Sequence, residues 1–260
     1  MNFKRVSYEA GDRTARIILN RPEKRNAMDD VMVEELTQAI AMAGKDPGVK
    51  VLLLSAAGPA FCSGVDLEYV KRIAEYDLEQ NRADSFRLAN LFRLIYELRK
   101  PVIGVVNGPA LAGGCGLASV CDFVIASREH ARFGYPEVRI GFIPAIVMIF
   151  LVKRVGEGVA RELVLRGNAV DADEARRVGL ASMVVSESEL AGACDLLRDD
   201  LLRENSLTSM GLCKEMFSKL HGMNLADALD FAANVNAAAR MTEDCRLGIG
   251  AFIKKEKNNW

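Results

Sequence analysis

The stretch that decides the fold is Asn107–Asp122, NGPALAGGCGLASVCD, directly behind the apolar run Val102–Val106. The run reads as a buried strand, and the glycines after it turn the chain into a helix. Gly113 and Gly114 lack side chains where the first backbone N–H groups of that helix are free. An anion or a developing oxyanion can approach such a place closely. Taken alone, glycine after a strand marks only a turn.

A second stretch repeats the design. Val51–Ser55 (VLLLS) reads as a strand and leads into AAGPAFCSGVDLEYV, where Gly64 precedes a short helical start with Asp66 in its first turn. A carboxylate there suits the helix dipole. Two such turns can each aim one backbone N–H at the same oxygen, which is what a polarised thioester carbonyl requires. Further on, FGYPEVRIGFIP (Phe133–Pro144) sets Glu137 directly behind a proline, in a loop that leads to an apolar helix. Two oxyanion turns and one positioned carboxylate point to proton transfer beside a carbonyl. An acid in these surroundings is expected to have a raised pKa.

With these residues in view, the chain resembles the crotonase (enoyl-CoA hydratase/isomerase) superfamily. The motifs that carry the resemblance are LNRPEKRNAM (Leu19–Met28), AFCSGVDL (Ala60–Leu67), NGPALAGGCGLA (Asn107–Ala118) and FGYPEVRIGFIP. DADEARRVGLASMVV (Asp171–Val185) and GIGAFIKKEK (Gly248–Lys257) match as well, in the family's order along nearly the whole chain. The resemblance implies an α/β fold, a crotonase-like spiral of ββα units over residues 1–200. It also implies a C-terminal helical trimerisation module over residues 201–260, giving a trimer or a dimer of trimers.

The resemblance places the oxyanion N–H groups on Val65 and Gly113 and makes Glu137 the acid/base. It assigns Arg25, Ala27, Ser63, Asp66 and Leu67 to the coenzyme A path, and counts Leu111, Gly114, Gly116 and Pro136 among the substrate-binding residues. The coenzyme enters as part of the substrate, and no separate cofactor is expected. The basic end of the last helix (Lys254, Lys255, Lys257) is a candidate for the phosphates, as is Arg25. Two departures matter. The hydratase pattern Asn-Gly-x-Ala-x-Gly-Gly-Gly-x-Glu-Leu puts Gly116 where the first catalytic glutamate belongs, and Ala112 replaces the first glycine of the triplet. No acidic residue occurs from Lys100 through Cys121, so a shift of register does not restore the missing acid. One carboxylate suffices to move a double bond from β,γ to α,β, so isomerisation is the expected reaction, with hydration the alternative and a weakly catalytic acyl-CoA-binding protein a third. Behind Pro144, where the family carries a glycine-rich helix start, Ile146, Val147 and Met148 either reshape the acyl pocket or pack in the core.

Composition narrows the other classes. Among 260 residues, half are hydrophobic and the formal net charge is −1, which speaks against disorder and against a nucleic-acid partner. The six cysteines form no CxxC pair, and only two histidines (His130, His221) are present. A disulfide framework, a zinc site and Ser–His catalysis are therefore not expected. Cys62 lies in a candidate site loop without a motif-linked base and reads as a small apolar filler. No run reaches the ~18 apolar residues of a membrane span, so a cytoplasmic protein with no membrane partner is expected.

Strands are expected at Val6–Ala10, Ala15–Asn20, Val49–Ser55, Val102–Val106 and Phe123–Ala126, alternating with helices at Asp29–Ala43 and Leu78–Leu98. After Pro144 the pattern is helical, with a break between Val155 and Glu157 and a single strand at Ala181–Val185.

Overall fold

The computed structural model describes residues 3–258 and 260. Its centre is a six-stranded sheet. β1 (Val6–Gly11) and β2 (Thr14–Leu19) form an antiparallel hairpin, and β3 (Val51–Ala56) adds parallel to β2. β4 (Val102–Val106), β6 (Phe123–Ser127) and β9 (Met183–Val185) continue the parallel side, giving the order β1-β2-β3-β4-β6-β9. Strand alternation sorts the side chains between two cores. Leu52, Leu54, Val102, Val106, Val124 and Ala126 face one, while Val51, Leu53, Ile103 and Ile125 face the other. Parallel strands buried on both faces explain why these runs are apolar throughout rather than alternating.

α1 (Asp30–Lys45) covers the first face. The Asp29 carboxylate accepts from the Met32 N–H at 2.8 Å and fixes its start, and Met32, Leu36, Ala39, Ile40 and Ala43 form its buried stripe. The second face is covered by α7 (Leu190–Glu204), through Leu190, Cys194, Leu201 and Leu202. α3 (Leu78–Glu97) buries only Leu91, Phe92 and Ile95, all towards its C-terminal end.

A second sheet, absent from the sequence reading, is built from three short strands: β5 (Pro109–Leu111), β7 (Arg132–Gly134) and β8 (Ala169–Asp171). At three residues each they carry too little periodicity to stand out from loops. The single strand expected after Pro144 is therefore joined by β8. Glu137 lies not in a loop but in the first turn of a 3-10 helix, Pro136–Ile140, started by its proline and ended by Gly141 in the left-handed region. α2 (Leu67–Ile73) supplies the short helix after Gly64.

α4 (Gly113–Val120) has all eight residues buried. α5 (Ala145–Arg166) breaks at Gly156, with φ 76° and ψ 163°, at the expected division between two helical runs. α6 (Ala172–Arg177) precedes β9. The chain closes with α8 (Leu207–Leu220), α9 (Leu225–Arg240) and α10 (Glu243–Lys254), and neither α9 nor α10 buries a single residue. α8 is tied to the body by Lys214, whose ammonium reaches Asp122 at 2.5 Å and the Lys100 carbonyl at 3.1 Å.

Candidate active site

The site is assembled from backbone first. Residues 60–66 run as an irregular strand between two others. On one side the Cys62 N–H donates to the Pro109 carbonyl and the Leu111 N–H to the Cys62 carbonyl. On the other, the Ser63 N–H donates to Arg25, the Met28 N–H to Gly64 and the Asp66 N–H to Met28. The three motifs LNRPEKRNAM, AFCSGVDL and NGPALAGG thus meet edge to edge. Gly64 makes the turn at φ +98°, and a Cβ there would lie 2.9 Å from the Ala112 methyl, so the Gly64 turn touches the start of α4. Gly114 packs closer still: an added Cβ would sit 2.2 Å from the Cys62 carbonyl oxygen.

Ala112, at the N-cap of α4, has φ 51° and ψ −126°, a conformation suited to glycine. Its N–H donates to the Gly134 carbonyl at 2.8 Å, joining the α4 start to the end of β7. β5 and β7 run parallel with Leu111 opposite Gly134, so the two chains leave the sheet on the same side. Two residues beyond each end lie Gly113 and Pro136, which brings the N-terminus of α4 and the Glu137 turn together. Among the described residues, the N–H groups of Val65 and Gly113 have no acceptor.

Glu137 is 9% exposed, and its Oε2 is buried without a hydrogen-bond partner. Burial raises its carboxyl above the ordinary value of 4.5, more than its own backbone N–H lowers it. Behind it Tyr135, fully buried, exchanges a 2.8 Å hydrogen bond with Ser119, whose hydroxyl donates to the Cys115 carbonyl. Burial pushes the Cys62 and Cys115 thiols up to about 12, which suits packing and not nucleophilic attack. Among the described residues, no group of three His, Cys, Asp or Glu could hold a metal ion.

The other residues singled out from sequence fall into three groups. Val65, Ser63, Leu111 and Pro136 are half-buried around the meeting point, with Arg25 and Leu67 exposed beside it and Ala27 buried. Arg25 makes no ion pair among the described residues. The Asp66 side chain is buried. It caps α2 by accepting from Glu68 and Tyr69 and pairs with the buried Arg21 at 2.6 Å. Burial acts to raise its pKa, but those N–H groups and Arg21 outweigh burial and hold it below 3.8. Gly116 is fully enclosed, and of the three bulky residues behind Pro144 it is Val147 that points inward, while Met148 is 40% exposed. Lys257 lies 3.7 Å from Glu204 of α7.

Sequence reasoning missed Asn26. Its side chain accepts from the Arg21 N–H and donates to the Ala57 and Ala60 carbonyls, each at 2.8 Å, holding the first motif against the second. The signal was present, since Asn is among the few residues at ease in the left-handed region, where it sits at φ 54°.

The sequence pattern of enoyl-CoA hydratase/isomerase matches residues 9–260. The chain belongs to the enoyl-CoA hydratase/isomerase family. A Thermus thermophilus relative, provisionally named an enoyl-CoA hydratase, is 40% identical over 250 residues, covering 96% of this chain and 98% of its own. A crotonyl-CoA hydratase of Syntrophomonas wolfei is 31% identical, over 100% and 99% of the two chains. The crystal structure of an enoyl-CoA hydratase from Shewanella pealeana superposes with a TM-score of 0.93 at 31% identity, over 99% and 96%. The chain therefore has the crotonase fold and is an enzyme of this acyl-CoA family. Among the described residues, no helix of this family member is long and apolar enough to cross a membrane.

Proposed function

We propose that the chain is an enoyl-CoA isomerase in which Glu137 is the only acid/base. The observation that carries the reading is the buried Glu137 carboxyl with its unpartnered Oε2 beside the free N-terminus of α4. The thioester oxygen of a 3-enoyl-CoA accepts hydrogen bonds from the N–H groups of Val65 and Gly113. Glu137 removes a proton from C2, and the C–H electron pair flows toward that oxygen to form a dienolate. Glu137 then returns the proton to C4, so the double bond moves from C3–C4 to C2–C3. Donors already aimed at the developing charge need no rearrangement during the step, which is the main source of their effect.

The nucleotide portion of the coenzyme runs past the exposed Arg25 and the Ser63–Leu67 segment, with Lys254 and Lys255 available for its phosphates. The family module at the C-terminus assembles the protein as a trimer, supported by the exposed apolar faces of α9 and α10. The Lys257–Glu204 approach makes Lys257 the weakest of the phosphate candidates.

Hydration of a 2-enoyl-CoA is the second reading, favoured by the names its relatives carry. Side-by-side assays of 3-enoyl-CoA isomerisation and crotonyl-CoA hydration decide between them. Isomerisation well in excess of hydration supports the proposal. Hydration at a turnover of about 10 s⁻¹ or more, an ordinary enzyme value, overturns it.

A further inference from the structure

Gly113 and Gly116 lie one turn apart on the same face of α4, yet their surroundings differ in kind. A Cβ at Gly113 would meet only the terminal methyl of Met28, at 2.5 Å, the far end of a flexible side chain. A Cβ at Gly116 would lie 2.3 Å from Val147 Cγ1, 2.6 Å from Val147 Cβ and 3.1 Å from Phe92 Cε1. Valine is stiff at χ1. The Phe92 ring is stacked on Phe150 with centroids 5.7 Å apart. Neither neighbour yields cheaply. Position 116 holds no side chain because Val147, reaching in from α5, already occupies its place.

The consequence is chemical as well as steric. α5 packs both on α4, where Val147 meets Gly116, and on the turn that carries Glu137. A buried water needs two to four polar partners. Val147 and Phe92 offer none, and the Gly116 N–H is already bonded to the Ala112 carbonyl at 3.0 Å. We propose that Val147 is a specificity-determining residue: with Phe92 it keeps water away from the acyl group, so that Glu137 moves a proton without a hydroxyl being added. This rests on the proton-transfer reading given above and names the device that enforces it.

The test compares hydration of crotonyl-CoA with isomerisation of a 3-enoyl-CoA in each variant. Val147→Thr keeps the volume and adds a hydroxyl beside Gly116. The ratio of hydration to isomerisation is expected to rise roughly two- to tenfold, the worth of one hydrogen bond to the attacking water. Gly116→Glu alone is expected to lower Tm, because the new side chain meets Val147. Alanine at 147 would not cure this, since the Val147 Cβ itself stands in the way. Val147→Gly combined with Gly116→Glu is expected to recover Tm and to raise the ratio further than Val147→Thr. If both Val147→Thr and the double variant fold, isomerise and leave the ratio unmoved, the role of Val147 is overturned. A wild-type protein with no Glu137-dependent isomerisation overturns the proton-transfer reading, and this inference with it. Val147→Thr alone decides the matter should the double variant fail to fold.

Discussion

The helix that opens the site and the helices that close the chain are opposites. All eight residues of α4 are buried, and its glycines are pressed against Cys62, Met28 and Val147. α9 and α10 bury nothing and leave Leu225, Leu229, Leu247, Ile249, Phe252 and Ile253 in solvent. A single chain therefore encloses the corner around α4 and Glu137, while the surface of its last helices stays open. Within the chain, Glu137 is already only 9% exposed. These exposed apolar side chains on α9 and α10 are what the proposed assembly of further copies would cover.

The sharpest way to break this contrast is to disable the corner without disturbing its shape. Glu137→Gln is expected to lower turnover by about a hundredfold or more while acyl-CoA binding persists, because the base is lost and the volume is kept. Steady-state rates alongside a binding titration check it. Near-normal turnover would mean that the buried carboxyl is not the base.

Gly114→Ala probes how tightly the corner is packed. With the Cys62 carbonyl 2.2 Å from the new methyl, backbone must move. A cost of about 3 kcal/mol, at the upper end for overpacking, is expected in denaturant unfolding. A loss below about 0.5 kcal/mol would show the loop to be adaptable.

The opposite region answers to a different measurement. Phe252, 83% exposed on α10, is a natural place for a charge. Phe252→Asp is expected to shift solution mass toward the monomer with little change in far-UV circular dichroism. Wild-type protein that stays monomeric at micromolar concentration would remove the assembly argument altogether.

The smallest effect concerns pH. Burial raises the Glu137 pKa, so the folded state holds its proton more tightly than the unfolded one, and stability falls as pH rises through the folded pKa. Glu137→Gln removes this cost. Its Tm should exceed that of the wild type at alkaline pH, and the gap should close as pH falls toward 4.5.

Much of this was legible in the sequence, for identifiable reasons. Val102–Val106 and the glycines behind it announce β4 and α4 because long apolar runs and side-chain-free turns have few other uses. Gly156 divided two helical runs correctly because a glycine amid helical periodicity is a break signal. The second sheet was not legible, since three-residue strands leave no period to count. Nor was the plug beside Gly116: sequence marks the missing acid, but which of Ile146, Val147 and Met148 turns inward depends on the rotation of α5 about its axis. The Asp66 carboxylate was legible as the cap of a short helix, but its buried partner Arg21, 45 residues earlier in the chain, was not.

Ala112 has a further consequence. At φ 51° and ψ −126° an alanine holds a pose natural only to glycine, with its methyl against the Gly64 turn. Such a residue stores about 1–3 kcal/mol, more than the ~0.5–1 kcal/mol by which glycine's freedom in the unfolded chain weakens a fold. The usual direction of mutation is therefore reversed at this corner. Ala112→Gly should raise Tm by up to about 4–8 °C, at roughly 2–4 °C for each kcal/mol released in a chain somewhat smaller than this one. The protein thus carries a reserve of stability at the residue just before Gly113, whose N–H is proposed to meet the thioester oxygen.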